Sequence, residues 1–249
     1  MNIAIVCEYN PFHFGHLHQI NQIKKNFPEA NIIAVMSGSV VQRGEFSILD
    51  KLHKTKIALE HGINCVIEIP SIFSLQSAQN FAYYAIKIID TIGCDYVSFG
   101  IETEIKDLIS YKDFLLENEA NIKQFILENK NISYNKNIIE FSKQNYFDYS
   151  DSIFKSNNIL ALEYMKSLDK LHSNCKILPI RRVNSEYNSN SLECISYSAS
   201  SIRSNLKLLE EFKDKIPSLT YDYLKHNSIK ANKKLLDILS INYLWKNQN

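Results

Sequence analysis

The sequence lacks a strong net charge, a cysteine framework and any long apolar run. The formal net charge is +1 over 249 residues, so bulk electrostatics favours no particular partner, and a nucleic-acid role would depend on local patches. The five cysteines are an odd number without framework spacing, which excludes a disulfide scaffold and indicates reduced thiols. No segment is long enough to span a membrane, and no secretory signal, internal repeat or low-complexity linker is visible. We therefore expect a soluble, cytoplasmic protein without a membrane partner.

Apolar strand-like runs alternate with helical patterns, and 45% hydrophobic residues are enough for one main core. Strands are predicted from residue 3 onward and at 31–36, 65–69, 95–100 and 176–180. Helices are predicted after residue 16 and at 48–60 and 76–91, the last two closed by Gly62 and Gly93. In the 48–60 helix, Leu52, Ile57 and Leu59 are expected to face inward. The alternation predicts an α/β fold with a parallel sheet covered on both faces.

The region from about residue 102 to 168 differs in amino-acid composition from the rest of the chain. Its leucines and isoleucines are set among many Lys, Glu and Asn residues, which is typical of a helical insertion that is mostly surface. Near its end, Ser156-Asn157-Asn158 predicts a helix start with an Asn or Ser cap. We expect a main domain over residues 1–215 that contains this insertion, followed by a short, basic, helical tail over residues 216–249.

The turn at residues 10–16, Asn-Pro-Phe-His-Phe-Gly-His, joins the first predicted strand to a helix that ends at Pro28. A helix start offers unpaired backbone N–H groups and the positive end of the dipole, which suit a phosphate. His13 and His16 add imidazole donors, and Gly15 allows a phosphate or a flat ring to approach the backbone. A zinc site is the other functional interpretation, but no Cys-x-x-Cys or Glu-x-x-His follows at ligand spacing, so no metal site is predicted. The context favours a nucleotide-binding turn.

A second helix start, at residues 198–203, combines serines with an arginine. The serines alone are explained equally well by an ordinary helix cap. Arg203 on the same turn, with Arg181 and Arg182 delivered by the last strand, favours a second phosphate cradle. We expect Ser200, Ser201, Arg203 and Arg182 to hold the β- and γ-phosphates.

These motifs resemble the HxGH nucleotidyltransferase superfamily. Within it, Met36-Ser37-Gly38, Gln42 to Glu45, Val66 to Pro70, Phe99-Gly100-x-Glu102 and Asn157-x-Ile159-Leu160 resemble the bacterial tRNA(Met) cytidine acetate ligases over about residues 1–215. The resemblance implies a Rossmann-like fold and the use of ATP, as Mg-ATP, to activate acetate as acetyl-adenylate. It further implies transfer of the acetyl group to N4 of the wobble cytidine in the anticodon loop of elongator tRNA(Met).

The resemblance and the two helix starts together give a set of expected site residues. His13, His16 and Lys51 are the expected catalytic residues, and Gln42 and Arg43 are candidates for holding acetate. Arg181 lies where the family often has a lysine. The expected ATP-binding residues are Val6, Cys7, Glu8, Tyr9, Asn10, Pro11, Phe12, His13, Phe14, Gly15, His16, Leu17, His18, Gln19, Gly100, Asn157, Arg181, Arg182, Ser200, Ser201 and Arg203.

The sequence also departs from the family pattern, which keeps other functions open. Family members are longer, with a helical C-terminal region that helps to hold tRNA, and this chain is expected to be a short form without most of it. Residues 185–192 differ from the family's loop. One alternative is an adenylyltransferase or acetate ligase for a small molecule or a protein thiol. The other is an ATP-binding module without catalysis.

Overall fold

The computed structural model describes residues 1–42, 44–145, 151–182 and 197–227. These residues form one sheet of five strands, all parallel. The strands are β1 (Asn2–Cys7), β2 (Asn31–Ser37), β3 (Cys65–Ile69), β4 (Tyr96–Ile101) and β5 (Lys176–Arg181). Their spatial order is β3-β2-β1-β4-β5, so the chain winds outward from β1 and then crosses back to β4. The predicted parallel α/β sheet is confirmed, and β2 to β5 agree with their predicted bounds to within one residue.

Helices connect the strands and follow the last of them. They are α1 (Phe14–Asn26), α2 (Lys51–Glu60), α3 (Ser71–Ser74), α4 (Ala78–Thr91), α5 (Ile105–Glu117), α6 (Glu119–Glu128), α7 (Tyr134–Asn145), α8 (Ser156–Leu171), α9 (Ala199–Ser204) and α10 (Ser218–Asn227). Short 3₁₀ segments span Asp151–Phe154 and Leu206–Phe212. Gly62 and Gly93, with φ of +100° and +68°, close α2 and α4 as predicted. Within the described ranges, no helix combines the length and apolarity needed to cross a membrane.

Apolar cores lie on both faces of the sheet because successive strand residues point to opposite sides. On β1, Ala4 belongs to the core that α4, α5 and α8 cover. Its neighbours Ile3 and Ile5 belong to the other core, to which α1 and α2 contribute. Each face is therefore shielded from water, as expected for a parallel sheet.

The buried face of α2 differs from the prediction. Leu52 and Leu59 are 74% and 44% exposed, so their inward assignment is wrong, whereas Ile57 is fully buried. The buried positions of this helix are Lys54, Ile57 and Ala58, a stripe with helical spacing that includes a charged residue. A lysine in the core position hides the true apolar face from sequence patterning.

The helical region after β4 does not lie wholly at the surface. In α8, residues such as Ala161, Leu162 and Met165 are buried against α4 and the sheet, so the expectation of a mostly exposed segment is wrong there. The predicted Asn or Ser cap is also wrong, because Lys155 occupies the N-cap without a side-chain hydrogen bond. The Asn158 amide instead donates to the Ser152 carbonyl at 2.7 Å and accepts the Glu102 N–H at 2.8 Å.

The described cysteines are free thiols. Cys7, Cys94 and Cys175 are buried, and Cys65, the first residue of β3, is exposed. Burial raises the pKa of Cys7 and Cys175 to about 12 and that of Cys94 to about 11, which keeps all three protonated at neutral pH. Cys194 lies outside the described residues.

Candidate active site

A cavity of about 390 Å³ opens at the carboxyl ends of β1 and β4, where the strand order reverses. This is the position at which open α/β sheets bind ligands. One side is formed by residues 6–10 and the start of α1. The other side is formed by the end of β4, the starts of α4 and α8, Arg182 and the start of α9. Distant parts of the chain thus meet in one crevice.

Two histidines at the start of α1 are fixed by backbone N–H groups. His13 is the N-cap, and its Nδ1 accepts the Gly15 N–H at 3.0 Å. The His16 Nδ1 accepts the His13 N–H at 3.2 Å, and the two rings stack with centroids 3.8 Å apart. These hydrogen bonds make a reciprocal capping box in which imidazoles take the usual places of a hydroxyl and a carboxylate.

The same hydrogen bonds assign the protonation of both rings. Because each Nδ1 accepts a backbone proton, each neutral ring carries its own proton on Nε2. Burial, and then the charge of Arg182, lowers the pKa of His13 to about 3. Burial, followed by His13 and Arg182, also lowers the pKa of His16 well below its ordinary value. At neutral pH the cavity therefore has two oriented, uncharged Nε2–H donors.

Arg182 supplies positive charge beside these histidines. It follows β5 directly, and its backbone N–H bonds the Ile101 carbonyl at 2.9 Å. Its side chain lies over Gly100, where an added Cβ would be 3.1 Å from the arginine Cγ. A longer contact of 3.5 Å joins its Nη1 to the Asn157 Oδ1, while the Asn157 Nδ2 donates to Glu102 at 2.5 Å. Gly100 therefore provides the space that lets Arg182 reach the cavity.

Arg203 brings a second cation from α9. Its Nη1 donates to the Asn10 carbonyl at 2.8 Å, which ties α9 to the turn after β1. Asn10 is buried, and its Nδ2 has no hydrogen-bond partner among the described residues. Because Asn10 lines the cavity, this amide is a donor that a ligand oxygen could accept.

The serines at the start of α9 have different positions. Ser198 is the N-cap and accepts the Ser201 N–H at 3.1 Å, which is the capping role that the sequence left open. Ser200 lines the cavity, with its hydroxyl 3.0 Å from that of Ser198. The hydroxyl of Ser200 is therefore the one placed beside the cavity.

The structure brings together many, but not all, of the predicted site residues. Those that line the cavity are Val6, Cys7, Glu8, Tyr9, Asn10, His13, His16, Gln19, Gln42, Gly100, Asn157, Arg182, Ser200 and Arg203. Those that are described but lie outside its lining are Pro11, Phe12, Phe14, Gly15, Leu17, His18, Lys51, Arg181 and Ser201. Arg43 and residues 185–192 lie outside the described residues.

The predicted cations that do not line the cavity are paired elsewhere. The Lys51 Nζ lies 2.7 Å from Glu68 Oε2 in a half-exposed pair. Arg181 is 69% exposed and pairs with Glu104. Arg181 and Arg182 diverge because successive residues at a strand end point in opposite directions.

Sequence reasoning missed the apolar wall of the cavity. Phe81 from α4, Phe99 from β4 and Tyr164 from α8 line it, together with Ala78, Ser156, Ile159, Leu160 and Ala199. Phe81 and Tyr164 have the same spacing as the core residues beside them. Phe99, Ile159 and Leu160 stand in motifs that resemble the family, but the sequence gives these motif positions no role in the cavity. Such a wall suits a flat, partly apolar ligand group.

Comparisons with known proteins give the family of this chain. The HIGH Nucleotidyl Transferase family model matches residues 1–249. The chain is 39% identical, over 90% of its length, to the tRNA(Met) cytidine acetate ligase of Clostridium novyi, and 38% identical, over 91%, to that of Clostridium tetani. The crystal structure of Thermotoga maritima TmcAL bound with alpha-thio ATP superposes with a TM-score of 0.76 at 31% identity, over 90% of this chain.

The chain matches only part of these proteins. It spans 59% of the Clostridium novyi enzyme, 60% of the Clostridium tetani enzyme and 55% of the Thermotoga maritima chain. The similarity therefore covers about nine tenths of this chain and less than two thirds of each of these proteins.

Proposed function

The chain belongs to the HIGH Nucleotidyl Transferase family, and from its similarity to tRNA(Met) cytidine acetate ligases we propose that it is an ATP-dependent acetate ligase. In the proposed reaction it forms acetyl-adenylate and passes the acetyl group to a cytidine of tRNA(Met). The observation that carries the proposal is the pair of neutral Nε2–H donors, His13 and His16, facing the same cavity as Arg182 and Arg203. This arrangement combines directed hydrogen bonds with positive charge, as a triphosphate requires.

The first step needs alignment more than covalent chemistry from the protein. An acetate oxygen attacks the α-phosphorus, a new P–O bond forms, and the bond to the bridging oxygen of the β-phosphate breaks to release pyrophosphate. His13 and His16 would donate to the α- and β-phosphates, while Arg182, Arg203 and Ser200 would hold the outer ones. The charge that develops on the leaving oxygen is stabilised by donors fixed before the reaction begins.

Magnesium would arrive with the nucleotide as Mg-ATP. Among the described residues, no group of three His, Cys, Asp or Glu side chains is placed to hold a metal ion. Mg²⁺ in phosphate-transfer sites is held largely by substrate phosphates and water, with one or two carboxylates. Glu8 lines the cavity and is a carboxylate within the same crevice.

The second step would be acyl transfer to the exocyclic amine of cytidine. The N4 nitrogen attacks the acetyl carbonyl carbon, the bond to the adenylate oxygen breaks, AMP leaves, and the amine loses a proton. The base must be unstacked for this attack, as it is in the single-stranded anticodon loop proposed as the substrate.

Acetate-dependent exchange of labelled pyrophosphate into ATP, without tRNA, tests the first step. We expect exchange with acetate and Mg²⁺, and a loss of roughly two to three orders of magnitude in His16→Ala, the cost typical of one preorganised donor. His226→Ala, which removes an exposed imidazole from α10, is the matched control and should retain the wild-type rate. ATP binding without exchange would contradict the ligase assignment.

Labelled acetate and a tRNA(Met) transcript test the second step separately. The proposal expects label in N4-acetylcytidine at the wobble position and none in a transcript that carries uridine there. Exchange with acetate but no labelled tRNA would retain the activation step and redirect the search to another acceptor.

A further inference from the structure

Lys54 is a buried lysine that the proposed reaction does not use directly. It lies on α2 with 1% of its surface exposed. Its Nζ donates to the carbonyl oxygens of Glu8 at 2.8 Å, Ser37 at 2.7 Å and Gly38 at 2.9 Å. An ammonium has three protons, so all of its donors are used on backbone carbonyls.

These carbonyls mark the carboxyl ends of two adjacent strands, β1 and β2. Glu8 follows β1 and precedes the Tyr9–His16 turn, while Ser37 and Gly38 end β2 and begin the segment that leads to Gln42. The Gln42 N–H donates to the Glu8 Oε1 at 2.8 Å, which links the same two segments a second time. One side chain from α2 therefore connects the segment that carries both histidines with the segment that carries Gln42.

We propose that Lys54 is a positioning residue, whose ammonium fixes the β1–α1 turn through these carbonyls and so sets nucleotide affinity and turnover. The turnover part rests on the proposed function. A packing role alone does not explain a lysine at this position, because burying a charge costs free energy that an apolar side chain of similar volume would not cost. Removing the ammonium would leave the Ser37 and Gly38 carbonyls without this donor.

The ionisable groups that face Lys54 come from two strand ends. They are Cys7 and Glu8 on the β1 side and Glu68 on β3, which itself pairs with Lys51. Burial lowers the pKa of Lys54 to about 8, with these groups acting in the opposite direction. The Cys7 thiol, with its pKa raised to about 12, keeps its proton in the range where Lys54 loses one.

The test compares Lys54→Met, Lys54→Arg and the exposed neighbour Lys56→Met. Calorimetric titration with a non-hydrolysable ATP analogue gives Kd, hydrogen exchange reports on residues 8–16, and pyrophosphate exchange gives kcat and KM. We expect Lys54→Met to weaken binding about tenfold or more and to lower kcat by roughly 10- to 100-fold, the cost of small misplacements at a reacting centre. Lys54→Arg should restore much of the affinity, and Lys56→Met should match the wild type. A folded Lys54→Met chain with wild-type Kd, wild-type kcat and wild-type hydrogen exchange in residues 8–16 overturns the proposal.

The wild-type chain provides a second measurement in case Lys54→Met does not fold. Analogue affinity should fall between pH 7 and 9.5 with a midpoint near 8, by at most about tenfold per pH unit, because one proton is lost. Hydrogen exchange in residues 8–16, divided by the intrinsic base-catalysed rate at each pH, should accelerate over the same range, and Lys56→Met should keep this profile. A flat profile overturns the proposal. Analogue binding and hydrogen exchange need neither acetate nor tRNA. These two measurements therefore test the role of Lys54 even if the ligase assignment fails.

Discussion

Acid should destabilise the protein through His13, and the size of the effect follows from the pKa of this residue. Burial lowers the pKa of His13 to about 3 in the folded chain, against about 6.5 in an unfolded one. Between these pKa values the unfolded state binds a proton at His13 and the folded state does not. The contribution of neutral His13 to the free energy of unfolding is therefore complete above pH 6.5 and is lost as the pH falls toward 3. Because pH 5 lies about 1.5 units below the pKa of the unfolded state, the loss in unfolding free energy at pH 5 is about 2 kcal/mol.

Urea unfolding at pH 7.5 and 5.0 isolates this contribution when the wild type is compared with His13→Asn. Asparagine is a good N-cap that can still accept the Gly15 N–H, and it does not titrate. The wild type should lose about 2 kcal/mol more than His13→Asn between the two pH values. The exposed His226→Asn variant should lose as much as the wild type. Equal losses in the wild type and His13→Asn would refute the reasoning, because His13 would then take up its proton without unfolding.

Three further substitutions test the cavity and its surroundings. Gly100→Ala would place a Cβ 3.1 Å from the Arg182 Cγ, so calorimetry should show ATP-analogue binding weakened by about tenfold with little change in melting temperature. Lys51→Met removes a half-exposed pair with Glu68, so urea unfolding should show a loss below about 1 kcal/mol. Its KM for acetate should stay unchanged, and a raised value would give Lys51 the catalytic role expected from sequence. Asp50→Ala removes the cap of α2, which accepts two backbone N–H groups, and should cost about 1 kcal/mol in the same assay.

The sheet could be predicted from the sequence because its determinants are local. Apolar runs such as residues 31–36 and 65–69 are bounded by polar or proline residues, and the helical patterns between them require crossover connections. The inward face of α2 could not be predicted in this way. Lys54 occupies a core position because carbonyls at the ends of β1 and β2 accept its three hydrogen bonds, and those partners are distant in sequence.

Some features of the cavity can likewise be predicted from local sequence, whereas others depend on residues that are distant in the chain. The histidine turn is a short segment whose strand–turn–helix context is visible in the sequence. By contrast, the choice of Arg182 over Arg181 depends on which side of β5 faces the crevice, and the apolar wall depends on how α4 and α8 pack together. Tyr164 belongs to this wall, yet its spacing on α8 is that of a core residue.

In this site, directed hydrogen bonds and positive charge come from different residues. His13 and His16 are held as neutral donors because burial dominates their pKa values, with the charge of Arg182 acting in the same direction. Under the proposed function, the positive charge for the triphosphate would come from Arg182, which follows β5, and from Arg203, which lies on α9. Since the Arg203 guanidinium also bonds the Asn10 carbonyl, the element that supplies charge is fixed to the turn that supplies direction. Under the proposed function, a ligand that lacks phosphate would use the donors without the charge, so we expect the cavity to bind phosphorylated nucleosides more tightly than unphosphorylated ones.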